Sequence, residues 1–133
     1  MTHTVQHATL ERYLKAVRDQ DASALGEIFA DDAQIEWPQS GEHFKGKEAC
    51  VRIYTSYPGG SPELVGEPRL MGSDDLWVAQ GSIKYPDGKI YLSVGIFEFE
   101  NGKIAHEVDY FTEPFPVPEW RRGWADGDQP QVA

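Results

Sequence analysis

The chain has 133 residues, with 12 Lys and Arg against 22 Asp and Glu, and a formal net charge of -10. This length allows one domain, residues 1–133, with a core and at most one small cavity. The negative charge repels phosphate backbones and anionic lipid headgroups, so we expect neither a nucleic-acid nor a membrane partner. The sequence has no run apolar enough to span a bilayer and no signal-peptide pattern, which predicts a cytoplasmic location.

The N-terminal part is predicted to form a helical hairpin. Apolar residues at positions i, i+3, i+4 and i+7 define one buried stripe on the first helix, namely Leu10, Tyr13, Leu14 and Val17. Asp21 is a suitable N-cap for a short second helix, which is expected to end at Asp31 and Asp32.

One strand and a third helix follow the hairpin. Residues Ala33–Trp37 alternate as a strand until Pro38, and a polar loop with glycines is expected next. Helical spacing then returns from Lys47 to about Tyr57. The single cysteine, Cys50, falls on the apolar stripe of this helix and is predicted to be a buried small side chain.

Four β-segments are predicted in the second half, at Glu63–Gly72, Leu76–Tyr85, Lys89–Glu100 and Lys103–Glu113. Pro86-Asp87-Gly88 and Asn101-Gly102 between the later segments are strong hairpin signals. The sheet is therefore expected to be mainly antiparallel.

The segment 89–100 has apolar residues on both faces. Phe97 and Phe99 lie on one face, and the opposite face has Ile90, Leu92, Val94 and Ile96. Helices can cover only one face of the sheet in so small a protein. We therefore predict a homodimer that packs through the outer sheet face.

The segment after the last strand, residues 114–125, contains many prolines and aromatic residues. Proline prevents it from continuing the sheet, and its aromatic content is too high for a disordered end. It is predicted to fold back as a cover, with Arg121 and Arg122 read as solvated charges rather than as a clamp for an anionic substrate. Residues 126–133 are expected to fray.

Several short motifs together resemble one protein family. They are Glu11–Leu14, Asp21–Leu25, Ile28–Ala33, Gly46–Ala49 and Glu100–Ile104. Over residues 9–113 they resemble the SnoaL-like branch of the nuclear transport factor 2-like superfamily. The resemblance implies an α+β fold shaped like a cone, with three N-terminal helices packed on a curved, mainly antiparallel sheet. The superfamily has isomerases, cyclases, hydrolases, dehydratases and binding modules on this one scaffold.

The resemblance also suggests particular site residues. Tyr13 aligns with the oxyanion-hole tyrosine of ketosteroid isomerase, but that family's two catalytic aspartates would fall at Trp37 and Gly95. Steroid isomerisation by that arrangement is therefore not expected. In SnoaL-like cyclases and limonene epoxide hydrolase-like members the working acid or base includes an aspartate on the last strand, which corresponds to Asp109.

Glu107 and Asp109 are two residues apart on the predicted last strand, so they share a face. A two-residue turn at Asn101-Gly102 would direct them outward, whereas a three-residue turn with a Gly102 bulge would direct them into the cavity. Residue patterning mildly favours the first arrangement. The resemblance and the dimer argument favour the second, in which Ile104 joins the outer face, and we adopt it.

On that choice an aromatic cavity holds the two acids. Asp109 is the candidate base, Glu107 its partner and Tyr13 a donor to developing negative charge. The expected substrate-binding residues are Trp37, Tyr54, Trp77, Tyr91, Ser93, Phe97 and Phe111. A core role is the simpler explanation for Tyr13, Trp37 and Tyr54. His106 is expected on the outer face, and the histidines have no ligand spacing, so neither a metal nor another cofactor is predicted.

These residues favour a cofactor-independent enzyme that acts on a small, largely apolar molecule by proton abstraction or water activation. The reaction could be that of an isomerase, cyclase, dehydratase or hydrolase. Two alternatives use the same fold: a non-catalytic small-molecule binding module and a dimerising scaffold without a cavity.

Overall fold

The computed structural model describes residues 4–126. Its helices are α1 (Val5–Asp19), α2 (Ala22–Ile28) and α3 (Lys47–Tyr54). Its strands are β1 (Phe29–Trp37), β2 (Glu42–Lys45), β3 (Glu63–Ser73), β4 (Leu76–Lys84), β5 (Ile90–Glu100) and β6 (Lys103–Thr112). A single 3-10 turn, Glu119–Arg121, follows β6. No helix in this range is long and apolar enough to cross a membrane. Except for Asp126, the expected frayed end lies outside the described residues.

Side-chain caps begin the first two helices. The Thr4 side chain accepts a hydrogen bond from the His7 amide, and Asp21 accepts one from the Ala24 amide at 3.0 Å. Helix α2 ends at Ile28 rather than at the predicted Asp31–Asp32, because the backbone is already extended at Phe29. This earlier exit gives β1 nine residues.

The six strands form one sheet in the order β2-β1-β6-β5-β4-β3. Only the β1–β6 pair is parallel, so the sheet is mixed and mainly antiparallel, and the predicted α+β class is confirmed. Strand β2 lies where a loop is predicted, because its four residues lack an apolar alternation. It is an edge strand whose Phe44 pairs with Ile35.

The core lies between the helices and the inner face of the sheet. The fully buried large apolar side chains are Leu10, Leu25, Ile28, Phe29, Ile35, Phe97 and Ile104. Cys50 is also buried, as predicted, and burial raises the pKa of its thiol to about 12. Helix α3 ends at Tyr54, short of the predicted Tyr57, where the Thr55 hydroxyl donates to the Val51 carbonyl.

The β5–β6 hairpin combines parts of both predicted arrangements. Its turn has two residues, Asn101 and Gly102, each with positive φ, and Glu100 pairs with Lys103. The predicted three-residue turn is therefore wrong. However, an extra residue, Ala105, forms a β-bulge between the pairs Phe99–Ile104 and Glu98–His106. The bulge shifts the register by one residue, so the side chains of β6 after Ala105 face the opposite side of the sheet from the one that the turn alone would give.

Because of this bulge, β6 has two different facing patterns. Ile104, before the bulge, is fully buried in the core rather than on the outer face, which corrects the expectation for that residue. After the bulge, Glu107 pairs with Phe97 and Asp109 pairs with Gly95, so the two acids face inward as predicted. Val108 and Tyr110 lie on the outer face with Val94 and Ile96.

The large aromatic side chains of the segment after β6 are exposed and do not fold back onto the body as the predicted cover. Phe115, Trp120 and Trp124 are 63%, 67% and 76% exposed, and none of them lines the cavity. Instead, the two tryptophan rings contact each other edge to face at 5.6 Å, and the Arg121 guanidinium lies 5.2 Å from the centre of the Trp120 ring.

Candidate active site

Two carboxyl groups lie next to a large cavity on the inner face of β6. Glu107 is fully buried and Asp109 is 5% exposed. Asp109 lines a cavity of about 900 Å³, whereas Glu107 lies behind the cavity wall. The cavity is large enough for a drug-sized molecule. The two acids therefore share the inner face of β6, but only Asp109 reaches the cavity, and Glu107 lies deeper in the core.

Three side chains from other elements bind the carboxyl pair. Tyr13 of α1 donates its hydroxyl hydrogen bond to Glu107 Oε2 at 2.8 Å. Trp37 of β1 donates from Nε1 to Asp109 Oδ2 at 3.0 Å. The Tyr54 hydroxyl of α3 lies between the acids, 2.5 Å from Glu107 Oε2 and 2.9 Å from Asp109 Oδ2.

The position of Tyr54 between the two acids indicates that they share one proton. Its hydroxyl has one hydrogen and can donate to only one carboxyl oxygen at a time. Both short contacts are hydrogen bonds only when one of the carboxyls is protonated and donates to the Tyr54 oxygen. The geometry therefore matches a pair that holds one proton and one negative charge.

The local electrostatics assign that proton to Glu107. Burial raises the pKa of Glu107 well above its usual range, and the negative charge of Asp109 raises it further. Burial also raises the pKa of Asp109, but hydrogen bonds from Glu107, Tyr54 and Trp37 oppose this change. Burial raises the pKa values of Tyr13 and Tyr54 well above their usual range, so both phenols stay protonated. Asp109 is therefore the member that ionises first.

Gly95 makes room for the Asp109 carboxyl. A Cβ atom at this position would lie 2.8 Å from Asp109 Oδ1 and 2.8 Å from Cε1 of Phe97. Both distances are shorter than a van der Waals contact. The absence of a side chain on β5 thus allows the carboxylate of β6 to lie flat against the sheet and face the cavity.

The cavity wall contains only part of the predicted set. Five of the predicted residues line it, together with Asp109: Tyr13, Tyr54, Ser93, Phe97 and Phe111. Trp37 does not, because its indole lies between Phe44 and Phe111 and its N–H is bound to Asp109. Trp77 packs against His7 and donates to the Asp74 carbonyl, and Tyr91 donates to Glu113. Neither of these two residues reaches the cavity wall.

Tyr13 has a different role from the one expected, and further residues line the cavity. The hydroxyl of Tyr13 already donates to Glu107, so Tyr13 supports the acid pair instead of presenting a free donor to a ligand. Tyr57, Leu64, Pro68 and Ile83 also line the cavity. Sequence analysis places Tyr57 on the apolar stripe of the third helix but does not assign it to the cavity. The turn Pro58-Gly59-Gly60 that follows it is the one sequence feature that indicates a position at the end of the helix.

His106 lies away from the cavity on the outer sheet face. Its ring nitrogens contact Glu36 Oε2 at 2.5 Å and Glu98 Oε2 at 2.7 Å. Burial lowers the pKa of His106, but the two carboxylates outweigh this effect and raise it overall. Within residues 4–126, no group of His, Cys, Asp and Glu side chains is arranged to hold a metal ion.

Substitution of Trp37 by Phe is expected to raise the pKa of Asp109 further. Phe keeps the ring contacts with Phe44 and Phe111 but removes an N–H donor, and a hydrogen bond to a charged group contributes roughly 1.5 to 3 kcal/mol. Carbon-13 NMR titration of the carboxyls measures the change. Trp77→Phe is the matched control, since its N–H bonds to a carbonyl elsewhere. An unchanged Asp109 titration in Trp37→Phe would show that this hydrogen bond has no electrostatic role.

The fold and the buried acid pair above an open cavity define the chain as a nuclear transport factor 2-like domain. The SnoaL-like domain model matches residues 10–107, so the chain belongs to the SnoaL-like family, as the sequence motifs predict. A search of curated proteins found no significant match.

Solved structures agree with this assignment. A protein of unknown function of this fold from Burkholderia xenovorans is 35% identical, with 92% of this chain and 94% of that chain covered and a TM-score of 0.78. A proposed ketosteroid isomerase from Kribbella flavida is 18% identical, covers 97% and 96%, and has a TM-score of 0.83. An epoxide hydrolase from M. tuberculosis is 16% identical, covers 80% and 82%, and has a TM-score of 0.66. The last two similarities show the fold alone.

Proposed function

We propose that this protein is a cofactor-independent acid–base enzyme acting on a small, largely apolar molecule. The observation that carries the proposal is the buried pair of carboxyls joined through the Tyr54 hydroxyl, of which only Asp109 lines the cavity. Buried acids with raised pKa values next to a cavity are typical of general acid–base sites. The solved structures of this fold include a proposed ketosteroid isomerase and an epoxide hydrolase, two classes of enzyme that use this kind of chemistry.

The proposed first step is proton removal by Asp109. Its ionised carboxylate takes a proton from an acidic C–H of the substrate or from a water molecule, and an O–H bond forms on Asp109. In the first case the electron pair stays on the substrate carbon next to an electron-withdrawing group. In the second, the water oxygen forms a bond to an electrophilic carbon such as that of an epoxide while the C–O bond to the ring oxygen breaks. The ring oxygen keeps the electron pair and takes up a proton. Tyr54 connects Asp109 to the proton on Glu107, so the pair can return a proton later.

Tyr57 is proposed as the donor to developing negative charge on the substrate. It lines the cavity, and burial raises the pKa of its hydroxyl, which therefore remains protonated. This assignment gives to Tyr57 the role that the sequence suggested for Tyr13, whose hydroxyl is bound to Glu107.

Isotope incorporation tests the proposal with a panel of candidate substrates. Ketones with acidic α-hydrogens and small epoxides are incubated with the protein in D₂O or in ¹⁸O-labelled water. Deuterium on carbon indicates proton abstraction, and ¹⁸O in the product indicates water activation. The wild type should label at least one member of the panel and Asp109→Asn should not. Binding without labelling across the panel would favour the second candidate, a binding module that uses the same cavity.

A homodimer through the outer sheet face is part of the same proposal. This face has half-buried apolar side chains from β5 and β6, and Tyr110 is 44% exposed among them. The apolar positions are Ile90, Leu92, Val94, Ile96 and Val108. Apolar residues that form a continuous patch on a surface commonly mark an interface.

Val94→Lys is expected to convert the dimer into a monomer, because a lysine charge would be buried at the centre of the apolar patch. Light scattering coupled to size-exclusion chromatography measures the mass. Glu48→Gln, an exposed change on helix α3 that shifts the net charge by the same +1, is the matched control and should remain dimeric. A wild-type mass equal to one chain would overturn this part of the proposal.

A further inference from the structure

The acid pair at the cavity wall has a negative charge without a cationic partner. The Tyr54 hydroxyl between Glu107 and Asp109 matches one proton for the two carboxyls, which leaves the pair one negative charge. The ion pairs formed within residues 4–126 include neither of them. Their contacts are neutral hydrogen-bond donors, namely Tyr13, Tyr54 and Trp37. A buried charge of this kind is costly unless an opposite charge compensates it.

The walls next to this charge suit a cation better than a neutral alkyl group. Five aromatic side chains line the cavity, namely Tyr13, Tyr54, Tyr57, Phe97 and Phe111. The Tyr13 ring contacts the Tyr54 ring at 88° and the Phe97 ring at 73°, so ring faces point in several directions. Cations are attracted to aromatic faces, most strongly where water is excluded.

The charged side chains that line the cavity also favour a positively charged ligand. Glu11, Glu63 and Glu67 line the cavity, and so do Lys15 and Arg18. Glu11 lies 3.4 Å from a ring nitrogen of His7, which also lines the cavity. The two cations are already paired with the carboxylate of Asp19, at 3.4 Å and 2.9 Å respectively. Since the whole chain also has a net charge of -10, the potential at the opening is negative. This potential attracts cations and repels carboxylates and phosphates.

We propose that the cavity binds an organic cation, a molecule with an amine or quaternary ammonium group on an apolar body. The positive group lies against Asp109 among the aromatic rings, and the apolar body contacts the aliphatic wall at Leu64, Leu70 and Ile83. This inference rests on the proposed function, because it names the substrate class of the same site. It adds that recognition depends on the charge of the acid pair as well as on shape.

A pair of probes of equal shape tests the inference. Benzyltrimethylammonium has a permanent positive charge, and neopentylbenzene is its uncharged isostere, with carbon in place of nitrogen. Isothermal titration calorimetry of the wild-type protein at low ionic strength should give an affinity for the cation about tenfold higher or more, as expected for a desolvated cation–π and charge contact. Equal affinities, or tighter binding of the neutral probe, would overturn the inference.

Two variants separate the local charge from the overall charge. Asp109→Asn should reduce cation binding by about tenfold or more while neutral-probe binding stays within about twofold. Glu48→Gln removes one exposed negative charge on α3 and should change neither affinity. A loss of cation affinity in Glu48→Gln equal to that in Asp109→Asn would contradict the inference. Neither probe reacts, so these binding measurements are independent of the isotope-labelling test. Cation binding can fail while labelling of neutral substrates still supports the acid–base function. Labelling can also fail while cation binding is observed.

Discussion

Replacement of Asp109 by Asn should lower the turnover rate by roughly 10²- to 10⁴-fold, the range expected for loss of a general base. Asn has nearly the same shape and can keep its contact with the Trp37 N–H through its carbonyl oxygen. It cannot take up a proton from a substrate. The fold and the binding of a neutral ligand should therefore survive while kcat falls, which steady-state kinetics with a labelled substrate measures.

The control for this result is Asp32→Asn, which removes an exposed carboxylate of β1 outside the cavity. Its turnover should equal that of the wild type. Full activity in Asp109→Asn would show that another group removes the proton. A loss of circular dichroism signal in Asp109→Asn would indicate that Asp109 has a structural role. In that case Asp109→Glu, which keeps a carboxylate, becomes the test. If Asp109→Glu folds but has no turnover, the catalytic assignment is contradicted.

Replacement of Glu107 by Ala should destabilise the protein by roughly 2 to 4 kcal/mol. Glu107 is fully buried, and its Oε2 atom accepts a hydrogen bond from Tyr13 and contacts the Tyr54 hydroxyl. Alanine would remove this hydrogen-bond partner of both hydroxyls and create a cavity in the core. Urea unfolding followed by tryptophan fluorescence measures the change in the free energy of unfolding. A loss below about 1 kcal/mol would show that Glu107 does not hold α1 and α3 to the sheet.

Glu107→Gln separates this structural role from the charge. The pKa of Glu107 is raised above its usual value of 4.5, so the folded protein binds its proton more tightly than the unfolded chain does. The resulting stability is fully present below pH 4.5 and is lost as the pH rises through the raised folded-state pKa. Glutamine does not titrate, so the stability of the variant relative to the wild type should increase over this pH range. A constant difference between the two proteins would contradict the raised pKa.

The hairpin before Asp109 shows how far the sequence could be interpreted. The inward orientation of the acids was predicted correctly, but from a turn length that is wrong. The actual turn at Asn101-Gly102 is the two-residue one, and the bulge at Ala105 reverses the face afterward. A bulge depends on how β6 packs against β5 and β1 at once. Local residue patterns do not contain this information, because a one-residue shift satisfies the turn chemistry equally well.

The elements themselves were easier to predict than the cavity wall. Amphipathic spacing located α1 and α3, and the Gly-containing turns located β4, β5 and β6. In contrast, strand alternation and aromatic character predicted Trp37 and Trp77 to line the cavity, and neither does. Whether an aromatic ring faces a cavity or packs behind its wall depends on the long-range contacts of the folded sheet. The proton shared through Tyr54 depends on three elements that are distant in sequence.

We propose that Glu107 keeps a proton at neutral pH while Asp109 is ionised. Difference infrared spectroscopy tests it directly, because a protonated carboxyl has a C=O stretching band that a carboxylate lacks. At pH 7, the wild type and Asp109→Asn should both show one such band from a buried acid, and Glu107→Gln should lack it. Absence of this band from the wild type, or its persistence in Glu107→Gln, would contradict the shared-proton site.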